Sequence, residues 1–172
     1  IATLIKAVAY INNTDGKKID ITLNIVGDGQ LRASLEALSV SEGIASIVKF
    51  HGMLSPDKVE ALYSESQIFV LPSLYEGRPN VVVEAMAAGC SVVVSDINGS
   101  RELISNEKNG LLFTVGDDEQ LARNIKRVVA DTALRIRLGQ AARQYVVGNR
   151  LSWDGCAGGY FDLFGMVLKQ RK

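Results

Sequence analysis

Short apolar runs alternate with helical patterns along almost the whole chain, and this alternation restricts the fold more than any other feature. Residues 1–11 set Leu4, Ile5, Val8 and Ile11 at helical spacing. Residues 19–26 alternate through Ile19, Ile21, Leu23 and Ile25, the period of a strand. Leu31, Leu35 and Leu38 give residues 30–40 a helical face, and 47–51 is a short strand. Ser55 before Pro56 reads as an N-cap and a first helical residue, so a helix is predicted over 55–64. The apolar strand 67–71 stops at Pro72. A helix is predicted over 80–88 and is closed by Gly89. A strand at 91–95, a short helix at 99–105 and a strand at 111–115 follow. Asp117 and Gln120 have capping-box spacing before a helix with Leu121, Ile125, Val128 and Val129 on one face. Helical pattern then runs on to about 147, and a last helix is expected at 156–169.

Strands separated by helices make βαβ units on a parallel sheet. Such a sheet is covered on both faces, and 67–71 and 91–94 are apolar throughout, as that requires. The fold class is therefore α/β: one doubly wound parallel sheet over residues 1–150, with a helical extension at 151–172. A doubly wound domain usually opens with a strand that sits mid-sheet. Here the first element reads as a helix, so either a strand lies upstream or the sheet is arranged differently.

Composition narrows the function. The 172 residues carry 19 Lys+Arg and 19 Asp+Glu, a zero balance that argues against a general nucleic-acid binder. Two cysteines, Cys90 and Cys156, cannot build a multi-bridge framework, which makes a reducing, cytoplasmic compartment the expectation. No apolar run reaches the length of a membrane span. The single histidine, His51, leaves little room for histidine-based metal sites or a Ser-His-Asp triad, and no G-x-S-x-G elbow is present. There is neither a P-loop nor an Asp-x-Asp pair, so no metal site is assigned and no cofactor is expected.

Open α/β sheets bind ligands beyond the carboxyl ends of their strands. Four unusual segments follow strands directly: Gly27-Asp28-Gly29, Gly52-Met53-Leu54, Pro72 to Asn80, and Ser95 to Ser100. All four are expected along one edge. The glycines at 27 and 29 permit close backbone approach to a ligand, although Arg32 stands where a dinucleotide fingerprint has its third glycine. Glu76 falls in a loop and Glu84 in the first turns of the helix behind it. The amides at the start of that helix, near Asn80 to Val83, favour an anion, while ionised carboxylates accept hydrogen bonds from hydroxyls. A ligand with both phosphates and sugar hydroxyls suits this mixture. A solvated loop acid and a helix-stabilising glutamate are the plainer alternatives.

The segment EGRPNVVVEAMAAG resembles the E-x7-E region of the retaining GT-B glycosyltransferases of family 4, in their C-terminal, donor-binding domain. The likeness extends through the GDG turn, VKFHG, FVLPS, SVVVSDINGSRELI, NGLLF and Leu151-Ser152-Trp153. It implies a Rossmann-like domain that takes a nucleotide-diphosphate sugar and transfers the sugar, without a metal, in polysaccharide or glycoconjugate synthesis. By position, Glu76 becomes the catalytic-site candidate, meeting hydroxyls of the transferred sugar rather than acting as a nucleophile. Glu84 would hold the ribose. Gly77, Arg78, Asn80 and Val81 would face sugar or diphosphate, Met53 and Leu54 would frame the base, and Gly27 and Gly29 would border the nucleotide.

Two departures qualify the likeness. Arg78-Pro79 replaces the commoner Phe-Gly, and Pro79 removes one amide donor. The Arg and Lys that hold the family's diphosphate would precede Ile1. The resemblance therefore implies a fragment: an N-terminal acceptor domain as the missing partner, no activity for the chain alone, and a parent enzyme in the cytoplasm, with peripheral attachment to the inner membrane face left open. A nucleotide-sugar epimerase of the same fold and a non-catalytic nucleotide-binding module are the competing readings. His51, Cys90, Trp153 and Glu102 are read first as structural residues, with Glu102 either capping the short helix or bordering the donor site.

Overall fold

The computed structural model describes residues 1–14, 20–152, 154–155 and 157–158. Elements alternate as the sequence predicts: α1 (Ala2–Thr14), β1 (Leu23–Val26), α2 (Arg32–Ser41), β2 (Val48–Gly52), α3 (Pro56–Glu65), β3 (Ile68–Leu71), α4 (Asn80–Ala88), β4 (Ser91–Ser95), α5 (Asn98–Arg101), β5 (Leu111–Phe113), α6 (Asp118–Ala130) and α7 (Thr132–Gly148). The predicted helix at 156–169 and Trp153 lie outside the described residues, apart from isolated positions.

Every strand pairing is parallel. The strands form two ladders, β1 with β2 and β3-β4-β5 in that order, and no pairing joins β1 to β3 among the described residues. The α/β class holds, while the single expected sheet is divided in two. The division has a geometric consequence: among the described residues, β1 and β3 each keep one edge unpaired. A cavity of about 940 Å³ lies along both edges, lined by residues 22–27 and by Ile68 to Pro72, with Ile1 and Leu4 from α1 and Val59, Leu62 and Tyr63 from α3.

Strand periodicity sorts the core into two layers. In β4, Val93 joins one apolar cluster and Val92 and Val94 the other. Ile68 and Val70 face the first, Phe69 and Leu71 the second. The first cluster is filled by Leu4, Ile5, Val8 and Ile11 of α1 and by Leu121, Ile125 and Val128 of α6. The second is filled by Val82, Ala85 and Met86 of α4 with Ala142 and Val146 of α7. All five β4 residues are buried, whereas all four of β3 are only half-buried, the exposure expected beside an open edge.

Several local expectations change. The strand predicted over 19–26 begins at Leu23, with residues 20–22 outside it, because its partner β2 begins at Val48 and pairs with Leu23. Leu31 is 69% exposed; it stands at the N-cap of α2 instead of on its buried face. Ser55 precedes Pro56 as predicted but makes no side-chain cap bond. The short helix ends at Arg101, so Glu102 follows it and cannot cap its start; the Glu102 carbonyl accepts from the Tyr145 hydroxyl. The long C-terminal helical pattern is broken at Asp131, whose carboxylate accepts from the Leu134 amide to start α7. Asp117 caps α6 through the Gln120 amide, but the Gln120 side chain accepts from the Thr114 amide rather than from Asp117. Gly89 ends α4 with φ of 84°, the left-handed conformation that glycine adopts at no steric cost.

Candidate functional site

The four loops meet at one edge: a hydrogen bond joins the first to the second, a shared cavity relates these to the third, and a close approach joins the third to the fourth. The Gly27 amide donates to the Gly52 carbonyl at 2.8 Å, tying the first loop to the second. The cavity carries Gly27, Met53 and Leu54 across to Leu71 at the end of β3 and Pro72 at the start of the third loop. Buried Gly99 abuts the third from the fourth: a Cβ there would stand 2.0 Å from the Gly77 carbonyl oxygen. Parallel pairing within each ladder puts the carboxyl ends of its strands on one side, where open α/β sheets collect their binding loops.

The candidates divide into two groups. Gly27, Met53, Leu54, Val81 and Glu84 line the cavity together. Glu76, Gly77, Arg78, Asn80 and Gly29 do not line it. Gly27 takes φ of 116°, a conformation that glycine tolerates and that the turn into Asp28 requires. The Gly29 amide donates to the Asp28 carboxylate at 2.8 Å. Arg32 closes this loop. Its guanidinium donates to Glu36 and to the Phe50 carbonyl and pairs with Asp28 at 3.6 Å. The residue that spoils the dinucleotide fingerprint thus serves as a strut.

Glu76 is half-buried and accepts from the Ser73 hydroxyl at 2.9 Å. Arg78 and Asn80 are exposed, and buried Pro79 precedes α4 as its N-cap with φ of −74°. The first amides of a helix lack partners inside it. α4 directs that end toward the Glu76 loop, a direction set by burying Val82, Ala85 and Met86 completely. Three consecutive valines are poor helix formers; burial of Val82 and partial burial of Val83 outweigh that preference.

Glu84 is one turn further on, exposed, with its Oε2 3.2 Å from the Tyr63 hydroxyl. Burial foremost, and the Glu84 charge after it, push the Tyr63 hydroxyl far above the ordinary phenol value, so it remains a donor. Tyr63 is a cavity-lining residue that sequence reasoning missed. It lies 21 positions from Glu84 in the chain, and only tertiary packing brings the two together.

The remaining residues hold structural positions. His51 Nε2 lies 2.8 Å from Asn24 Oδ1, a polar pair bridging β1 and β2 on the face away from the first cluster. Cys90 is buried, and burial pushes its thiol up to about 11. The Asp96 carboxylate pairs with Arg101 and is held below the usual range chiefly by that hydrogen bond. Among the described residues no three His, Cys, Asp or Glu side chains gather as a metal site, and no helix is long and apolar enough to cross a membrane.

Alternating strands and helices, parallel ladders and loops collected at the carboxyl edge define a Rossmann-like α/β domain. Residues 1–145 match the family described as glycosyl transferases group 1, and the chain belongs to that family. It is 36% identical over 135 residues to an uncharacterised glycosyltransferase of Methanocaldococcus jannaschii, covering 78% of this chain and 34% of that protein. It is 33% identical over 146 residues to a lipopolysaccharide core biosynthesis glycosyltransferase of Rhizobium meliloti, covering 85% of this chain and 40% of that one. The chain therefore spans well under half the length of these relatives.

Solved structures agree on the fold. Sucrose-phosphate synthase from Thermosynechococcus elongatus superposes with a TM-score of 0.81 at 26% identity, over 98% of this chain and 43% of that one. An Anabaena protein in complex with UDP-glucose superposes with a TM-score of 0.75 at 26% identity, over 86% and 40%. The architecture is that of the C-terminal domain of GT-B glycosyltransferases.

Proposed function

We propose that this domain is the donor-binding half of a retaining family 4 glycosyltransferase, taking a nucleoside-diphosphate sugar at its carboxyl edge. The observation that carries this reading is the cleft in which Gly27, Met53, Leu54, Val81 and Glu84 converge, in a chain that belongs to the group 1 glycosyltransferases. The UDP-glucose complex of the Anabaena protein supports the ligand class. Glu84 accepts hydrogen bonds from the ribose hydroxyls, and Met53 and Leu54 cover the base. Gly27 and Gly29 let the backbone pass close to the nucleotide. The amides and dipole of α4 near Gly77, Asn80 and Val81 face the diphosphate, with Arg78 adding charge. Glu76 accepts from hydroxyls of the transferred sugar. The acceptor oxygen replaces diphosphate at the anomeric carbon, and the leaving diphosphate carries the acceptor's proton away.

The site is completed by parts of a longer protein. The paired open edges of β1 and β3 suit one further parallel strand, and an extended segment laid between them joins the ladders into one sheet. Exposed Val26, Leu31, Met53, Leu74, Tyr75 and Val81 give the edge an apolar rim suited to a second domain closing over the donor. Polysaccharide or glycoconjugate synthesis on the cytoplasmic side, the inner membrane face included, belongs to the same reading.

Titration of the chain with UDP, GDP and ADP and their glucose conjugates tests it. One series binds weakly, Glu84→Ala weakens it, and Cys90→Ala leaves it unchanged. No binding by any of them, or binding indifferent to Glu84→Ala, overturns the site. Robust sugar transfer by the 172-residue chain alone overturns the half-enzyme reading.

A further inference from the structure

Glu84 stands exposed on α4, and among the described residues the one side chain that reaches it is Tyr63 of α3, 21 residues away. The Tyr63 oxygen lies 3.2 Å from Glu84 Oε2 and 3.4 Å from the Val81 carbonyl. Residues 81 and 84 are three apart, so both acceptors lie on one helix face. Tyr63 is itself firmly mounted. Its ring meets Phe69 edge-on at 5.8 Å, and its own carbonyl lies 3.3 Å from the Cys90 thiol. Both neighbours belong to the second apolar layer.

We infer that Tyr63 is a positioning residue for Glu84, holding its carboxylate in the orientation that reads the ribose hydroxyls of the nucleotide. The inference rests on the reading of Glu84 as the ribose contact. An unrestrained glutamate on a helix surface samples many rotamers, and a ligand must freeze one of them. Here a donor fixed by the core selects the rotamer before the ligand arrives. The bond engages one carboxylate oxygen at a distance longer than the common O–H···O separation. Oε1 and the remaining lone pairs of Oε2 stay available for a diol. The hydroxyl keeps its proton at any working pH, because burial and the adjacent carboxylate both oppose its loss. It therefore meets the carboxylate as a donor, with the Val81 carbonyl as its alternative acceptor. Tyr63, Val81 and Glu84 all line the cavity at the nucleotide end.

The test compares Tyr63→Phe with the native chain in titrations of UDP, GDP and ADP and of their 2′,3′-dideoxy analogues, followed by NMR shifts. Phenylalanine keeps the ring contact with Phe69 and removes the hydroxyl alone. The expected result is a loss of roughly three- to tenfold in affinity for the preferred nucleotide, with the dideoxy analogue almost unaffected. The native preference for ribose then shrinks. A Glu84→Gln variant supplies the second arm: adding Tyr63→Phe to it produces little further loss, because the two groups act as one unit. Unchanged ribose preference in Tyr63→Phe, or equal losses for both analogues, overturns the positioning role while leaving the site intact. A native chain without ribose preference overturns the ribose reading of Glu84 itself, and this inference with it.

Discussion

Gly99→Ala is the most demanding test of how the site is supported. Gly99 is buried in α5, and a Cβ built there lies 2.0 Å from the Gly77 carbonyl oxygen, 2.6 Å from that of Glu76 and 2.8 Å from the Gly77 carbonyl carbon. Real Cβ contacts stay beyond 3.0 Å, and the obstacle is backbone rather than the end of a flexible side chain. The Glu76–Gly77 loop must therefore recede by roughly 1 Å or more, or α5 must shift. Overpacking of this kind costs about 1–3 kcal/mol, a fall of about 2–12 °C in Tm for a chain of this size. Because Gly77 is exposed, part of the strain can be relieved by moving the loop, which carries Glu76 away from the place proposed for the sugar. Differential scanning fluorimetry reads the first effect. Titration with the nucleotide sugar that binds and with its free nucleoside diphosphate in parallel reads the second: the nucleotide sugar loses affinity more than the diphosphate. A variant with native Tm and native preference for the nucleotide sugar refutes the close approach, and with it the account of how Glu76 is placed.

Two further predictions address the scaffold. Asn109 is buried, accepts from the Ser105 amide and donates to the Leu103 carbonyl, so Asn109→Ala leaves two backbone groups without partners and lowers stability by about 1–3 kcal/mol in urea unfolding. The Glu107 carboxyl is held below its ordinary value chiefly by its hydrogen bond to Arg127. A depressed folded-state value means that this pair's contribution is present above the unfolded value near 4.5 and is lost as pH falls through the folded one. Both side chains are nearly half exposed, so the effect is small and screened by salt. Stability curves of the native chain and Glu107→Gln converge below that range and separate above it.

The fold was legible wherever local chemistry and burial agree. α4 runs from Asn80 to Ala88, closed at Gly89 as predicted, and β4 follows from an unbroken apolar run buried on both faces. It was less legible where a distant partner decides. The alternation from Ile19 to Ile25 says nothing of where β2 stops offering hydrogen bonds, so the predicted strand starts too early. The break between α6 and α7 was missed because apolar spacing continues through Leu134 and Leu138. The signal lay in Asp131, whose side chain starts a new helix. In the site, spacing and glycines marked Glu76, Glu84 and the four loops. The supports did not show. Tyr63, Gly99 and the strut made by Arg32 depend on contacts between segments that no local pattern relates. The division of the sheet also depends on the pairing of whole strands rather than on any residue within them.

The two carboxylates of E-x7-E differ in how they are mounted, and this has a measurable consequence. Glu84 sits on a helix whose inner face, Val82, Ala85 and Met86, is wholly buried, so α4 cannot rotate without opening the second layer. Its remaining freedom is that of the side chain, where Tyr63 acts. Glu76 sits on a loop, tied to Ser73 and backed by Gly99, so its remaining freedom is that of the backbone. The supports share no residue and come from different elements, α3 and α5. Substitutions without shared partners add in free energy, whereas those within one network do not. Tyr63→Phe and Gly99→Ala therefore weaken binding of the nucleotide sugar by factors that multiply in the double variant. Tyr63→Phe acts on the free nucleoside diphosphate and the nucleotide sugar alike, and Gly99→Ala acts mainly on the sugar-bearing ligand. If the double variant is instead no weaker than the worse single one, the edge is one cooperative unit and the two glutamates are positioned by a common movement of the third loop.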